Sequence, residues 1–258
     1  MPQLILPYAV LAAVWAPHVH DEASARRAHA VVAGDEAHLV VAEDGTTTPL
    51  RPVLADVPGR RVIDVGALLP GPGHVAGVPG VALDLALESE QCLLVATDAG
   101  RWAVVPEVTT FGSVLEPGTM VRWHVRPLPP GERGLPTLLG LVGSLGQARR
   151  EISTALIEAV DALEALDVAR WHEDAVAELA GVVRAELPAH LLPPGIEERR
   201  AEVLTRAARV LAITELAATD DGAAVTLAQA SARSRVLADL ALVARRAMAA
   251  ASVTSTRA

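Results

Sequence analysis

The stretch Pro127–Pro136, PLPPGERGLP, decides how this chain is divided. Four prolines and two glycines in ten residues exclude a helix interior or a central strand. Everything after it reads as helix, and little before it does so for long. The expectation is therefore two domains, residues 1–133 and residues 134–258. The fold class that follows is α+β: a small mixed or antiparallel sheet domain with short helices, then a C-terminal up-down four-helix bundle.

In the second part, Ser144 and Gln147 stand three apart, the pattern in which a serine side chain caps the first turn. Leu145, Ile152, Leu156, Ala159, Leu163 and Leu166 follow at helical spacing and predict one buried stripe. A second helix should run from about Trp171 to Leu187 and stop at Pro188. Pro194 stands ahead of the third, where Glu197, Glu198 and Glu202 meet the positive end of the helix dipole. Asp220-Asp-Gly222 ends that helix, and Thr226 with Gln229 repeats the start signal for a fourth. Its buried face should carry Leu237, Leu240, Ala244 and Ala247. The tail SVTSTRA reads as frayed. Four helices of similar length with short connections favour an up-down bundle.

Working toward the N-terminus, MVRWHVR alternates cleanly: Val121, Trp123 and Val125 share one face, Arg122, His124 and Arg126 the other. QCLLVATD and RWAVVPEV flank Ala99-Gly100 and read as an antiparallel hairpin. HLVVA reads as a strand. Asp21 is placed to cap a helix EASARRAHAVV that Gly34 ends. Residues 7–17, PYAVLAAVWAP, fit a buried strand or a helix, since the run is apolar throughout and has no periodicity.

Composition bounds the function. The 258 residues are 51% apolar, enough for a sizeable core. All 22 basic residues are arginine, with no lysine or asparagine and one each of tyrosine and phenylalanine, the usage of a high-GC genome. Such a core is filled by Leu, Val and Ala. The net charge of −9 comes from nine arginines against fifteen acidic residues in 1–133 and thirteen against sixteen in 134–258. Neither part has the concentrated positive surface that nucleic acid or an anionic membrane requires. The lone Cys92 sits in an apolar strand, as expected for a buried thiol in a reducing, cytoplasmic setting. Residues 1–19 carry no charge but also no basic leader, and prolines interrupt them, so no secretory signal is expected.

The run from Leu204 to Ala251, together with LDVARW and PGPGHVAGVPG, resembles segments of alanine-rich actinobacterial proteins of unassigned function. The resemblance spans about half the chain and implies no activity or site.

His18, His20, Asp21 and Glu22 in APHVHDE are the candidate metal ligands. Residues two apart on a strand point the same way and can share a metal, as in amidohydrolase-like enzymes. The further ligand-bearing strands of such a barrel are missing. Arg122, His124 and Arg126 are the candidate anion-binding row, or the solvated face of an edge strand. The glycine-rich loop Gly66–Gly80 and the Gly140–Gly146 segment lack the spacing of phosphate-binding loops, so no cofactor is expected. Ser113, Ser89 and Ser144 have no catalytic context, and no catalytic residue is assigned. Trp15, Trp102, Trp123 and Trp171 are the available anchors, each expected to be core unless exposed at an interface. The expected function is a non-catalytic soluble protein acting through protein–protein interaction or self-association. The alternative is a small metal-dependent hydrolase using the His18-x-His20-Asp-Glu cluster.

Overall fold

A computed structural model of the chain describes residues 3–50, 61–113, 116–130, 135–165, 180–219 and 226–255. They form two compact units. One comprises residues 7–142, 190–196 and 252–258; the other comprises residues 1–6, 143–189 and 197–251.

The first unit is built on a seven-stranded mixed sheet. Its strands are β1 (Ala37–Val41), β2 (Thr47–Pro49), β3 (Val62–Leu68), β4 (Cys92–Thr97), β5 (Gly100–Gly112), β6 (Pro117–Pro127) and β7 (Thr254–Ser255). Their order is β2-β1-β6-β5-β4-β3-β7, with β1 and β6 parallel and every other pair antiparallel. The sheet is larger than expected, and β6 lies inside it, so the edge-strand reading of the arginine row is corrected.

Helix α1 (Tyr8–Trp15) resolves the ambiguity of residues 7–17. Seven of its eight residues, Ala9 to Trp15, are buried, against β3, β4 and β5 and beside α2 (Glu22–Ala33). A helix buried all round has no polar face, which is why its sequence shows no stripe. Asp21 caps α2 in a reciprocal box with Ser24, and Gly34 closes it at a positive φ of 54°.

The register assigns the two sheet faces. Val65, Ala67, Leu93, Val95, Val104, Trp123, His38 and Val40 share one, to which the Tyr8 ring of α1 also packs. Gly66, Leu94, Ala103, Arg122, His124 and Arg126 share the other. On that second face α4 (Leu135–Gly140) covers β3 and β4, and it approaches so closely that a Cβ on Gly66 would lie 2.7 Å from Leu139. Between β3 and β4, α3 (Leu83–Ser89) packs on β5.

Of the tail expected to fray, residues 252–255 are paired to the sheet, and residues 256–258 lie outside the described residues. Thr254 and Ser255 pair with Val65 and Asp64, the Ser255 hydroxyl donates to Asp64 at 2.5 Å, and the buried Ser252 hydroxyl accepts from the Ala67 amide at 2.8 Å.

The second unit holds α5 (Leu145–Ala165), α6 (Glu198–Thr219) and α7 (Leu227–Ser252). Ser144 accepts from the Gln147 amide, while the Gln147 carboxamide donates to Glu151. Thr226 and Gln229 make the full reciprocal cap of α7. Ile152 and Ala159 of α5 are buried, as are Leu237, Leu240, Ala244 and Ala247 of α7. Arg149 pairs with Glu202 at 3.7 Å and Arg206 donates to Ser153 at 2.9 Å, which ties α5 to α6. Residues 180–184 are helical; most of the expected second helix, with Trp171, lies outside the described residues.

Candidate functional site

The polar clusters of the sheet unit are set by β6. Its alternation sends Trp123 to the α1 face and Arg122 and His124 to the other, so one strand serves two sites of opposite character.

On the α1 face, Tyr8, Glu36, His38 and Trp123 form one network. Trp123 is 4% exposed and its indole Nε1–H donates to His38 Nδ1 at 3.0 Å. An acceptor at Nδ1 means that neutral His38 carries its hydrogen on Nε2. Nε2 is buried, has no hydrogen-bond partner, and lies 3.8 Å from Glu36 Oε2. The same carboxylate accepts the hydroxyl of Tyr8, the chain's only tyrosine. The rings pack edge-on, Tyr8 at 5.3 Å from His38 and 6.3 Å from Trp123. Burial holds the His38 pKa below its ordinary value, against the opposing pull of Glu36 and with a further lowering by His29. Burial, with help from Glu36, raises that of Tyr8. These groups come from the start of α1, the turn before β1, β1 itself and β6. Only their hydrogen-bonding residue types would have hinted at them in the sequence.

On the opposite face, Glu107 of β5 stands across from Arg122. His124 Nε2 donates to Glu107 at 2.8 Å and Arg122 lies 3.4 Å away, which together hold the Glu107 carboxyl below the usual range, the histidine bond contributing most. Arg126 donates to the Val125 carbonyl at 3.3 Å. The candidate anion row is therefore present on one face, with two of its three side chains, Arg122 and His124, facing a carboxylate from the neighbouring strand.

The candidate metal cluster falls at a helix–helix corner. Residues 16–18 form a single 3-10 turn after α1, His18 is half-buried and His20 exposed. The His20 amide donates to Ser24 Oγ, Asp21 Oδ1 accepts from the Ser24 amide at 2.7 Å, and Glu22 pairs with Arg26 at 2.9 Å. Those capping bonds lower the Asp21 pKa. Among the described residues, no group of three or more His, Cys, Asp or Glu side chains is placed to hold a metal ion.

Three of the four tryptophans, Trp15, Trp102 and Trp123, are buried, and Trp15 donates to the Leu191 carbonyl at 2.8 Å. Trp171 lies outside the described residues. Cys92 is buried and its thiol pKa is raised to about 12 by that burial, which removes it as a nucleophile near neutral pH.

Among the described residues an exposed aromatic is Phe111, the chain's only phenylalanine. It is 56% exposed near the tip of the β5–β6 hairpin and opposite Gly118. A Cβ on Gly118 would lie 2.6 Å from the Phe111 ring, so the ring rests across the glycine. The hairpin runs beyond its neighbours: β4 pairs with β5 from Gly100 to Val104, and β1 pairs with β6 from Met120 to His124. Pro106, which has no amide hydrogen to offer a further strand, marks where β5 leaves β4. Beyond it, Val108 and Phe111 are both exposed.

Two family models match the chain: Rv1486c-like protein, N-terminal domain, over residues 9–137, and Rv1486c-like protein, C-terminal domain, over residues 146–249. Neither description names an activity. No curated protein and no solved structure matches. The chain belongs to the Rv1486c-like family, through both of its domains.

Proposed function

We propose that this member of the Rv1486c-like family is a non-catalytic cytoplasmic protein that acts through protein–protein interaction or self-association, with the outer part of the β5–β6 hairpin as its contact surface. The observation that carries this reading is the exposed Phe111, in a chain that has so few aromatic side chains and buries Trp15, Trp102 and Trp123. An aromatic ring on a projecting, two-stranded arm offers a large apolar contact at small entropic cost. The exposed Val108 lies on the same arm. That no helix among the described residues is long and apolar enough to cross a membrane is consistent with this reading.

The helical unit is taken to be an up-down four-helix bundle, α5, α6 and α7 joined by the helix expected from about Trp171 to Leu187. Its support is the length of the three described helices and the Arg209 bond to the Ala185 carbonyl at 2.8 Å, which reaches that fourth segment.

Sedimentation equilibrium of the full chain tests the function. Self-association should appear at micromolar concentration, and Phe111→Ala should weaken it at least about tenfold without moving the thermal midpoint. A wild-type chain that stays monomeric would remove self-association and leave a different protein as the partner. Native mass spectrometry on the same sample addresses the hydrolase alternative: one bound transition metal, lost on combined His18→Ala and His20→Ala substitution, would replace the interaction reading.

A further inference from the structure

The Tyr8–Glu36–His38–Trp123 network has two self-consistent arrangements. In the one observed, His38 is neutral, Trp123 donates to Nδ1, and Tyr8 donates to Glu36. Both donors are satisfied, while the Nε2–H of His38 points to no acceptor within hydrogen-bond distance.

Adding a proton to His38 changes the arrangement at one atom. The neutral ring already carries hydrogen on Nε2, so the new proton must go to Nδ1. Nδ1 then becomes a donor facing the Trp123 N–H at 3.0 Å, and two donors at that distance repel. The charged ring has a better place to go, because Glu36 Oε2 is only 3.8 Å from Nε2. Closing that gap gives a charge-assisted bond. Glu36 has acceptor capacity for both the imidazolium and the Tyr8 hydroxyl, so the bond that is lost is the one to Trp123. Of the ionisable groups around His38, Glu36 favours this change and His29, on α2, opposes it; Tyr8, on α1, stays neutral throughout. Trp123 on β6 carries no charge, so these three groups and the burial of the ring set the midpoint.

We propose that His38 is an acid-sensing switch in which protonation of Nδ1 exchanges the Trp123 bond for an ion pair with Glu36 and so unties β6 from β1 at this buried side-chain contact. The proton comes from solvent and no bond other than hydrogen bonds is made or broken. The switch is independent of the hairpin contact proposed above and stands whether or not the protein self-associates.

The test is a proton–nitrogen NMR titration of the full chain from about pH 8 to about pH 4.5, following the tryptophan indole N–H signals. The Trp123 signal is identified by its loss in Trp123→Phe. The expected result is a step in the Trp123 signal alone, centred below about pH 6.5, while those of Trp15 and Trp102 persist. His38→Gln should remove the step. Glu36→Gln, at a half-exposed position, should lower its midpoint by about one pH unit, because the carboxylate favours the charged imidazole. A Trp123 signal that does not move, loss of all indole signals together at one pH, or an unchanged midpoint in Glu36→Gln would each overturn the switch.

Discussion

The two faces of β6 come from the same eleven residues and have opposite fates. Toward α1, Val121 and Trp123 are buried and the Trp123 indole N–H is hydrogen-bonded to His38. On the other face, Arg122, His124 and Arg126 are half-exposed and engage Glu107 or the backbone. The second face is itself divided, since α4 covers it at β3 and β4, where Gly66 and Leu94 lie. Whether a residue on that face is packed or wet depends on which strand it occupies. The difference teaches that strand alternation assigns a face, but only the neighbouring element assigns the environment.

The largest effect that would break this comparison is on the α1 face. Trp123→Ala should destabilise the protein by about 3–5 kcal/mol in chemical denaturation, the cost of an emptied aromatic core position; an unchanged midpoint would mean that the face is not core. Next is the covered part of the opposite face. Gly66→Val should cost about 1–3 kcal/mol, because its side chain would collide with Leu139, and a neutral result would show that α4 shifts freely.

A pH scan of stability then separates the faces by their titrating groups. Because burial lowers the pKa of His38, its contribution is present above the unfolded value of about 6.5 and is lost as pH falls toward the folded value. Glu107 is also lowered, but as an acid, so its contribution persists above about pH 4.3 and is lost only as pH falls through the carboxylate range. Two separate losses, the higher removed by His38→Gln and the lower by Glu107→Gln, are expected in urea midpoints measured across pH. The smallest effect is that of Glu107→Gln at neutral pH, below about 1 kcal/mol, since the pair is partly solvated.

Much of the local structure was legible. Asp21 before α2, Thr226 before α7 and the alternation of β6 each rest on forces acting within a few residues, and each is found where its pattern puts it. The candidate site was less so. Arg122 and His124 were visible as a row, but their partner Glu107 lies on another strand at a register set by the hairpin. His38 and Glu36 carried no motif, because a buried network needs only compatible donors and acceptors in space. Phe111 was not among the anchors expected from the sequence, which were the four tryptophans, and its exposure follows from how far β5 and β6 outrun β4 and β1.

By itself, then, the sequence determined the caps, the buried stripe of α7 and the facing of β6, for these depend on spacing along one segment. It also determined a core of small aliphatic side chains. Tertiary structure alone decided that residues 8–15 are helical, since a uniformly apolar segment takes the form that its surroundings can bury. It likewise decided the parallel pairing of β1 with β6 and the return of Thr254 and Ser255 to β3. Those pairings join residues far apart in the chain, and backbone hydrogen bonds, which are the same for every residue type, leave little trace of them in the sequence.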